Sequence, residues 1–251
     1  MVQPEIMAGI WGITVGFALF IGAAVVYRFK VSPRVVASIM AFGAGVLISA
    51  ITVELVEEAF LLGSFNSVIL GFFAGAGIFT GINLFIALKG GKGRKSAILK
   101  GEEEGEIRNS TAIAAGSIID AIPESIAIGL TMISGTVSYA IIIAVFLSNI
   151  PEGLSSTAGM KKSGNWTTNS VFGLWTIITI VTAIGSIIGF TLFRFLPPHS
   201  TAIMMSFAAG SILVMIIDNM VPEAYSETYS YTGLITVFGF MVSFFVSKMP
   251  L

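Results

Sequence analysis

Long apolar runs, separated by short polar stretches, dominate this chain from one end to the other. A helix needs about 20 mostly apolar residues to cross a bilayer. The runs are continuously apolar and lack the two-residue alternation that is typical of membrane β-barrel strands. The pattern predicts eight membrane-spanning helices, at residues 6–27, 35–60, 67–88, 111–133, 138–159, 171–195, 201–225 and 232–248.

Composition agrees with a membrane protein, because 55% of the residues are hydrophobic and only 11% are charged. Soluble domains carry about 25% charged residues. The chain has no cysteine and one histidine, which excludes thiolate metal sites and zinc motifs built on paired histidines. With a net charge of −1 it has no basic face for nucleic acid, and the lipid bilayer is its expected surroundings.

The positive charges predict the orientation. The loops after the first, third and fifth predicted spans hold 11 of the 13 lysines and arginines. The positive-inside rule places these loops in the cytoplasm and both termini outside. We expect a multi-pass protein of the cell membrane (plasma or inner), with residues 1–251 forming one transmembrane domain. Within it, residues 89–110 combine glycines with charges of both signs, which predicts a flexible cytoplasmic loop.

An internal repeat is present in the apolar background. Residues 41–60 (AFGAGVLISAITVELVEEAF) align without gaps on residues 206–225 (SFAAGSILVMIIDNMVPEAY), and Glu58 coincides with Glu223. By the predicted topology the two segments cross the membrane in opposite directions. The sequence therefore predicts an all-α membrane protein with an inverted repeat, spans 1–3 against spans 6–8, around a central pair of spans 4 and 5.

Carboxylates within the predicted spans mark the candidate site. A charged side chain at the bilayer centre costs about 2.5–3.5 kcal/mol, so such residues are functional by default. In span four, Asp120 and Glu124 are one helical turn apart, and in span five Asn149 and Glu152 share a face. Each glutamate follows a proline, which frees a backbone carbonyl one turn earlier. These four side chains, with Ser148, form the predicted cation site.

Spans two and seven hold five further acidic residues. We interpret them as an external collecting site and an internal exit site on either side of the central site. For Glu57, an interfacial carboxylate exposed to water is an equal alternative. The predicted pathway residues are Glu54, Glu57, Glu58, Asp218 and Glu223.

The motifs of the central pair resemble those of the ZIP (Zrt/Irt-like) divalent metal transporters. Of the eight predicted spans, the fourth contains DAIPES at residues 120–125 and the fifth contains SNIPEG at residues 148–153. The resemblance implies transport of a divalent metal ion by alternating access, a homodimer, no cofactor beyond the transported ion and no enzymatic activity. The G-x-x-x-G spacings in span three are compatible with close helix packing in such a dimer.

Two departures from the family pattern bear on the metal. Asp120 stands where the family usually has a histidine, and Ser148 stands where histidine or glutamine is frequent. An all-oxygen ligand set favours harder ions such as Mn²⁺, whereas the family favours Zn²⁺ or Fe²⁺. The metal therefore stays open among Zn²⁺, Fe²⁺ and Mn²⁺.

Three other functions compete with metal transport. The first is a proton- or cation-coupled transporter of another substrate, with Asp120 and Glu124 as proton carriers. The second is a membrane protein that binds metal without transporting it. The third, an intramembrane metal-dependent enzyme, would need an activated water and a general base, for which we find no motif.

Overall fold

The computed structural model describes residues 3–86, 88, 106–133 and 138–249, with the side chains of α5 described from residue 114 onward. These ranges are helical and contain no strand. The α-helices are α1 (Pro4–Arg28), α2 (Pro33–Ala50), α3 (Glu57–Leu62), α4 (Phe65–Ile86), α5 (Glu106–Thr131), α6 (Tyr139–Lys162), α7 (Thr168–Phe193), α8 (Pro198–Met215), α9 (Val221–Thr228) and α10 (Thr232–Ser247).

Seven helical stretches of the described chain are long and apolar enough to cross a membrane. The prediction of an all-helical fold is therefore confirmed in these residues, and the long apolar helices are compatible with a membrane protein. Helix α5 begins at Glu106, so residues 106–110, which the sequence predicts as loop, are helical. The remainder of the predicted loop, residues 89–105, lies outside the described residues.

The seventh stretch, Pro198–Ser247, is 50 residues long and contains the predicted spans seven and eight. A short 3₁₀ turn at Tyr229–Tyr231 divides it. Tyr229 adopts a φ of 44°, which is rare for a bulky residue. On either side of the turn, the hydroxyls of Thr228 and Thr232 lie 2.6 Å apart. The turn therefore separates α9 from α10.

The packing of α10 shows that the chain reverses at this turn. Gly45 of α2 lies against Thr236 of α10, and farther along both helices Glu57 lies 3.7 Å from Lys248, so these helices are parallel. Helix α9 packs beside α2 while α8 packs beside α3, so α8 and α9 run antiparallel to α2 and α3. The α8–α9 and α10 segments consequently run in opposite directions.

Two π-helical segments interrupt the long helices at equivalent positions. The first covers Ile51–Val56, between α2 and α3, and the second covers Ile216–Met220, between α8 and α9. Their first residues are 165 positions apart, which is the offset of the sequence repeat. Because π turns are rare and concentrate at functional sites, they draw attention to the polar residues they carry.

Helices α5 and α6 lie inside the bundle, whereas α4 lies at its periphery. In the most apolar window of each helix, 72% of the residues of α5 and 78% of those of α6 are buried, against 17% in α4. Glycines allow the neighbouring helices to approach closely: a Cβ atom on Gly153 of α6 would overlap Leu19 of α1, and one on Gly129 of α5 would overlap Ser186 of α7. Helix α6 thus packs closely on α1, and α5 packs closely on α7.

Candidate functional site

The five predicted ligands are all buried on α5 and α6. Asp120 is fully buried and Glu124 is 2% exposed, while Ser148, Asn149 and Glu152 are at most 5% exposed. A carboxylate is costly to remove from water unless other groups or ions compensate its charge. Burial of three carboxylates on two adjacent helices is therefore a feature that packing alone does not explain.

Prolines interrupt the backbone hydrogen bonding of both helices beside these carboxylates. Pro123 and Pro151 lie inside α5 and α6, which nevertheless continue to Thr131 and Lys162. A proline lacks the N–H that would bind the carbonyl four residues earlier. The carbonyl oxygens of residues 119 and 147 are therefore available to ligands at the level of the buried carboxylates.

Asp120 contacts a residue that the sequence did not single out. The Asn219 side-chain nitrogen lies 3.5 Å from an Asp120 carboxylate oxygen and donates a long hydrogen bond to it. Asn219 belongs to the second π segment. The signal that could have identified it is the repeat, in which Asn219 corresponds to the acidic Glu54, 165 residues earlier.

Glu223 of α9 also reaches the central pair. It is buried, and its carboxylate accepts a hydrogen bond from the Ser155 hydroxyl of α6. The next residue, Ser156, lies 3.4 Å from the Ser117 hydroxyl of α5. Glu223 follows Pro222, so a third Pro–Glu pair lies on a third helix, with the glutamate buried and the proline exposed. Hydroxyl and carboxylate oxygens thus join α5, α6 and α9.

Two of the weaker ligands have part of their hydrogen-bonding capacity engaged. The Asn149 side-chain nitrogen donates to the Val15 carbonyl of α1 at 3.0 Å, and the Ser148 hydroxyl donates to the Val145 carbonyl at 2.9 Å. These bonds use the donor groups and leave the amide and hydroxyl oxygens as acceptors. Asn149 and Ser148 are therefore suited to binding a cation through oxygen.

The other acidic residues of span two differ in their surroundings. Glu54, in the first π segment, is half-buried and accepts a hydrogen bond of 2.6 Å from the Ser138 hydroxyl, which caps α6. Glu58 is also half-buried. Glu57 is exposed and lies 3.7 Å from the Lys248 ammonium. This exposure agrees with the alternative in which Glu57 is an interfacial carboxylate in contact with water.

Asp218, in the second π segment, is exposed on the outside of the bundle. The Asn83 side-chain nitrogen of α4 donates a hydrogen bond of 3.4 Å to its carboxylate. Unlike Glu223, which is five residues farther along the same stretch, Asp218 does not point into the bundle. Of the two acidic residues predicted for an internal exit site, only Glu223 is buried.

The described residues contain no preformed cluster of acidic or imidazole side chains at the predicted site. Within the ranges that the structure describes, no three histidine, aspartate or glutamate side chains are close enough together to hold a metal ion. The contacts instead form two buried levels: Asp120 with Asn219, and Glu223 with Ser155.

Comparison with known proteins adds no relative from which a role can be transferred. No protein-family model matches the chain, and no curated protein matches it. The function of the site must therefore be argued from the residues described above.

Proposed function

We propose that this protein transports divalent metal cations across the cell membrane and that it is a divergent member of the ZIP family. The observation that carries the proposal is the burial of Asp120, Glu124 and Glu152 on two proline-interrupted helices at the centre of the bundle. Carboxylate and carbonyl oxygens are the ligands that Mn²⁺ and similar cations prefer. Zn²⁺, Fe²⁺ and Mn²⁺ remain the candidate substrates.

The predicted topology, eight spans in two inverted halves, is the architecture of many transporters that work by alternating access. The reversal at Tyr229–Tyr231 supports the eighth span. The glycine contacts support the inverted repeat, because Gly45 packs on Thr236 of α10 while its counterpart Gly210 packs on Phe72 of α4. In each half, the second span thus packs on the third span of the other half, as a two-fold relation requires.

The buried carboxylates of α5 and α6 are compatible with a transported cation. Like charges repel when no cation lies between them. A bound divalent ion would offset this repulsion and bring Asp120, Glu124 and Glu152 together. Release would then reverse the approach, with Glu223 and the Ser155 hydroxyl as the next oxygen ligands towards the cytoplasm. Glu54 and Glu58 are the proposed ligands on the outer side.

We further propose a homodimer with both termini outside. Gly71 and Gly75 of α4 already contact α8, whereas Gly77 and Gly81 have no atom of the described chain within 4 Å of an added Cβ. The second pair is one helical turn apart on an open face, where a helix of another protomer could approach closely.

Metal uptake into liposomes containing the purified protein tests the proposal. Glu124→Gln and Glu152→Gln preserve size and remove one charge each, so we expect each to lower uptake at least about tenfold. The matched control is Glu5→Gln, the same change at a surface ion pair with Arg194. Normal uptake by both central variants would contradict the site. Proton flux without metal uptake would instead indicate the coupled transporter of another substrate.

A further inference from the structure

A cavity of about 500 Å³ lies at the end of the bundle where α2 begins, α9 ends and α10 begins. Its volume is within the range of small-molecule sites, about 300–1,000 Å³. Its lining residues include Arg34, Glu227, Tyr229, Tyr231, Leu234 and Ile235. None of these residues belongs to the metal site. In the proposed orientation, this end of the bundle lies at the cytoplasmic surface of the membrane.

The cavity contains one cationic and one anionic side chain. Arg34 supplies a guanidinium from the first turn of α2, and Glu227 supplies a carboxylate from the last turn of α9. Within the described part of the chain, neither side chain forms an ion pair with the other or with any further residue. Both charges are therefore available to a ligand that carries the complementary pair.

The rest of the lining is amphipathic. Leu234 and Ile235, in the first turn of α10, supply an apolar wall. Tyr229 and Tyr231 are 63% and 71% exposed. Tyrosines concentrate at membrane–water interfaces in membrane proteins. Tyr229, whose φ is 44°, lies in the turn between α9 and α10 and lines the cavity. A ligand with a polar zwitterionic end and an apolar body fits these walls.

We propose that this cavity binds the headgroup of phosphatidylethanolamine from the cytoplasmic leaflet. Arg34 would bind the phosphate through charge-assisted hydrogen bonds, and Glu227 would accept hydrogen bonds from the primary ammonium. The glycerol and the first acyl carbons would lie against Leu234 and Ile235. The bound lipid would join the ends of α2, α9 and α10, and this inference does not depend on metal transport.

The charge pair discriminates among the common phospholipids. Phosphatidylcholine has a quaternary ammonium without N–H donors, so it cannot donate a hydrogen bond to Glu227. Phosphatidylglycerol carries a net negative charge and no cation, so Glu227 would repel it. Phosphatidylethanolamine alone among the three satisfies both Arg34 and Glu227.

Native mass spectrometry of the purified full-length protein tests the proposal. The protein is mixed with equimolar dioleoyl forms of phosphatidylethanolamine, phosphatidylcholine and phosphatidylglycerol. We expect the ethanolamine lipid to be the dominant adduct. Arg34→Gln and Glu227→Gln should each lower that adduct about tenfold, since each removes one charged hydrogen bond. Lys30→Gln, at the same end but outside the cavity, is the matched control and should leave the adduct unchanged.

Three results would overturn the proposal. Equal binding of the three lipids would remove the headgroup specificity. Dominance of phosphatidylglycerol, with a further increase in Glu227→Gln, would show an anionic-lipid site. An unchanged ethanolamine adduct in both cavity variants would place the lipid elsewhere. A melting curve of each variant, recorded in detergent, separates loss of the ligand from loss of the fold.

Discussion

Asp120 is the residue at which ligand chemistry and resemblance diverge. It is fully buried on α5, and its carboxylate accepts a hydrogen bond from Asn219. ZIP transporters usually have a histidine at this position of the motif, and an imidazole favours Zn²⁺ more than a carboxylate does. If Asp120 is a ligand, it should therefore shift the selectivity of this protein towards Mn²⁺ or Fe²⁺.

We predict that Asp120→His raises the affinity for Zn²⁺ relative to Mn²⁺, by about tenfold for a change of about 1.4 kcal/mol. Asp120→Ala should weaken the binding of both ions, because it removes an anionic ligand. Competition binding of Zn²⁺ against Mn²⁺ measures the ratio, with Asp218→Ala, on the outside of the bundle, as the control. An unchanged or reversed ratio in the histidine variant would show that Asp120 does not set the selectivity.

The sequence was sufficient to predict that the candidate ligands share faces, because spacings of three and four residues determine neighbours on a helix. It was not sufficient to predict their partners on other helices. Asn219 is 99 residues from Asp120, and Ser155 is 68 residues from Glu223. Uncharged polar residues are frequent in this chain, so only the contacts of Asp120 with Asn219 and of Glu223 with Ser155 distinguish these two.

Among the helices, α4 has two glycine pairs with opposite surroundings. A Cβ atom on Gly75 would overlap the carbonyl oxygen of Phe207 in α8, whereas Gly77 has open space around it. Backbone atoms cannot move aside as side chains do, so a methyl group at Gly75 must separate the two helices. The contact of α4 with α8 therefore depends on the first of the two G-x-x-x-G spacings, Gly71 and Gly75.

We predict that Gly75→Ala destabilises the protein by about 1–3 kcal/mol, the usual cost of overpacking. Gly77→Ala should be neutral in the protomer, since nothing lies within 4 Å of the new methyl group. Thermal unfolding of both variants in detergent measures the difference. Equal losses of stability would contradict the packing of α4 on α8, while a shift of Gly77→Ala from dimer to monomer would support the proposed dimer face.

The helical elements were largely predictable, because hydropathy over about 20 residues registers a span regardless of its partners. The spans at residues 6–27 and 232–248 agree with α1 and α10 within two residues. Hydropathy does not distinguish a π turn from an α turn, so the interruptions at Ile51–Val56 and Ile216–Met220 were not predicted. Nor does it register the start of α5, where the helix continues into polar residues.

For the whole molecule, the proposed orientation in the membrane rests on the lysine and arginine distribution and can be tested directly. The chain has no cysteine, so a single introduced cysteine is the only thiol. We predict that Ser64→Cys is labelled by an impermeant maleimide only from outside the cell, and Ser230→Cys only from the cytoplasm. Both serines are exposed. Labelling at residue 64 from the cytoplasm would contradict the topology and, with it, the inverted repeat.

The pairing of α2 with α10 has a consequence for folding during synthesis, because the two helices are far apart in the sequence. Gly45 is synthesised 191 residues before its contact Thr236. At about 5–20 residues per second, the synthesis of Thr236 follows that of Gly45 by on the order of ten seconds or more. During this time the close-packing face of α2 has no contact with α10. A ribosome that stops before α10 would leave that face uncovered in the bilayer. Quality-control proteases of the membrane would then have a simple mark by which to distinguish an unfinished chain from a finished one.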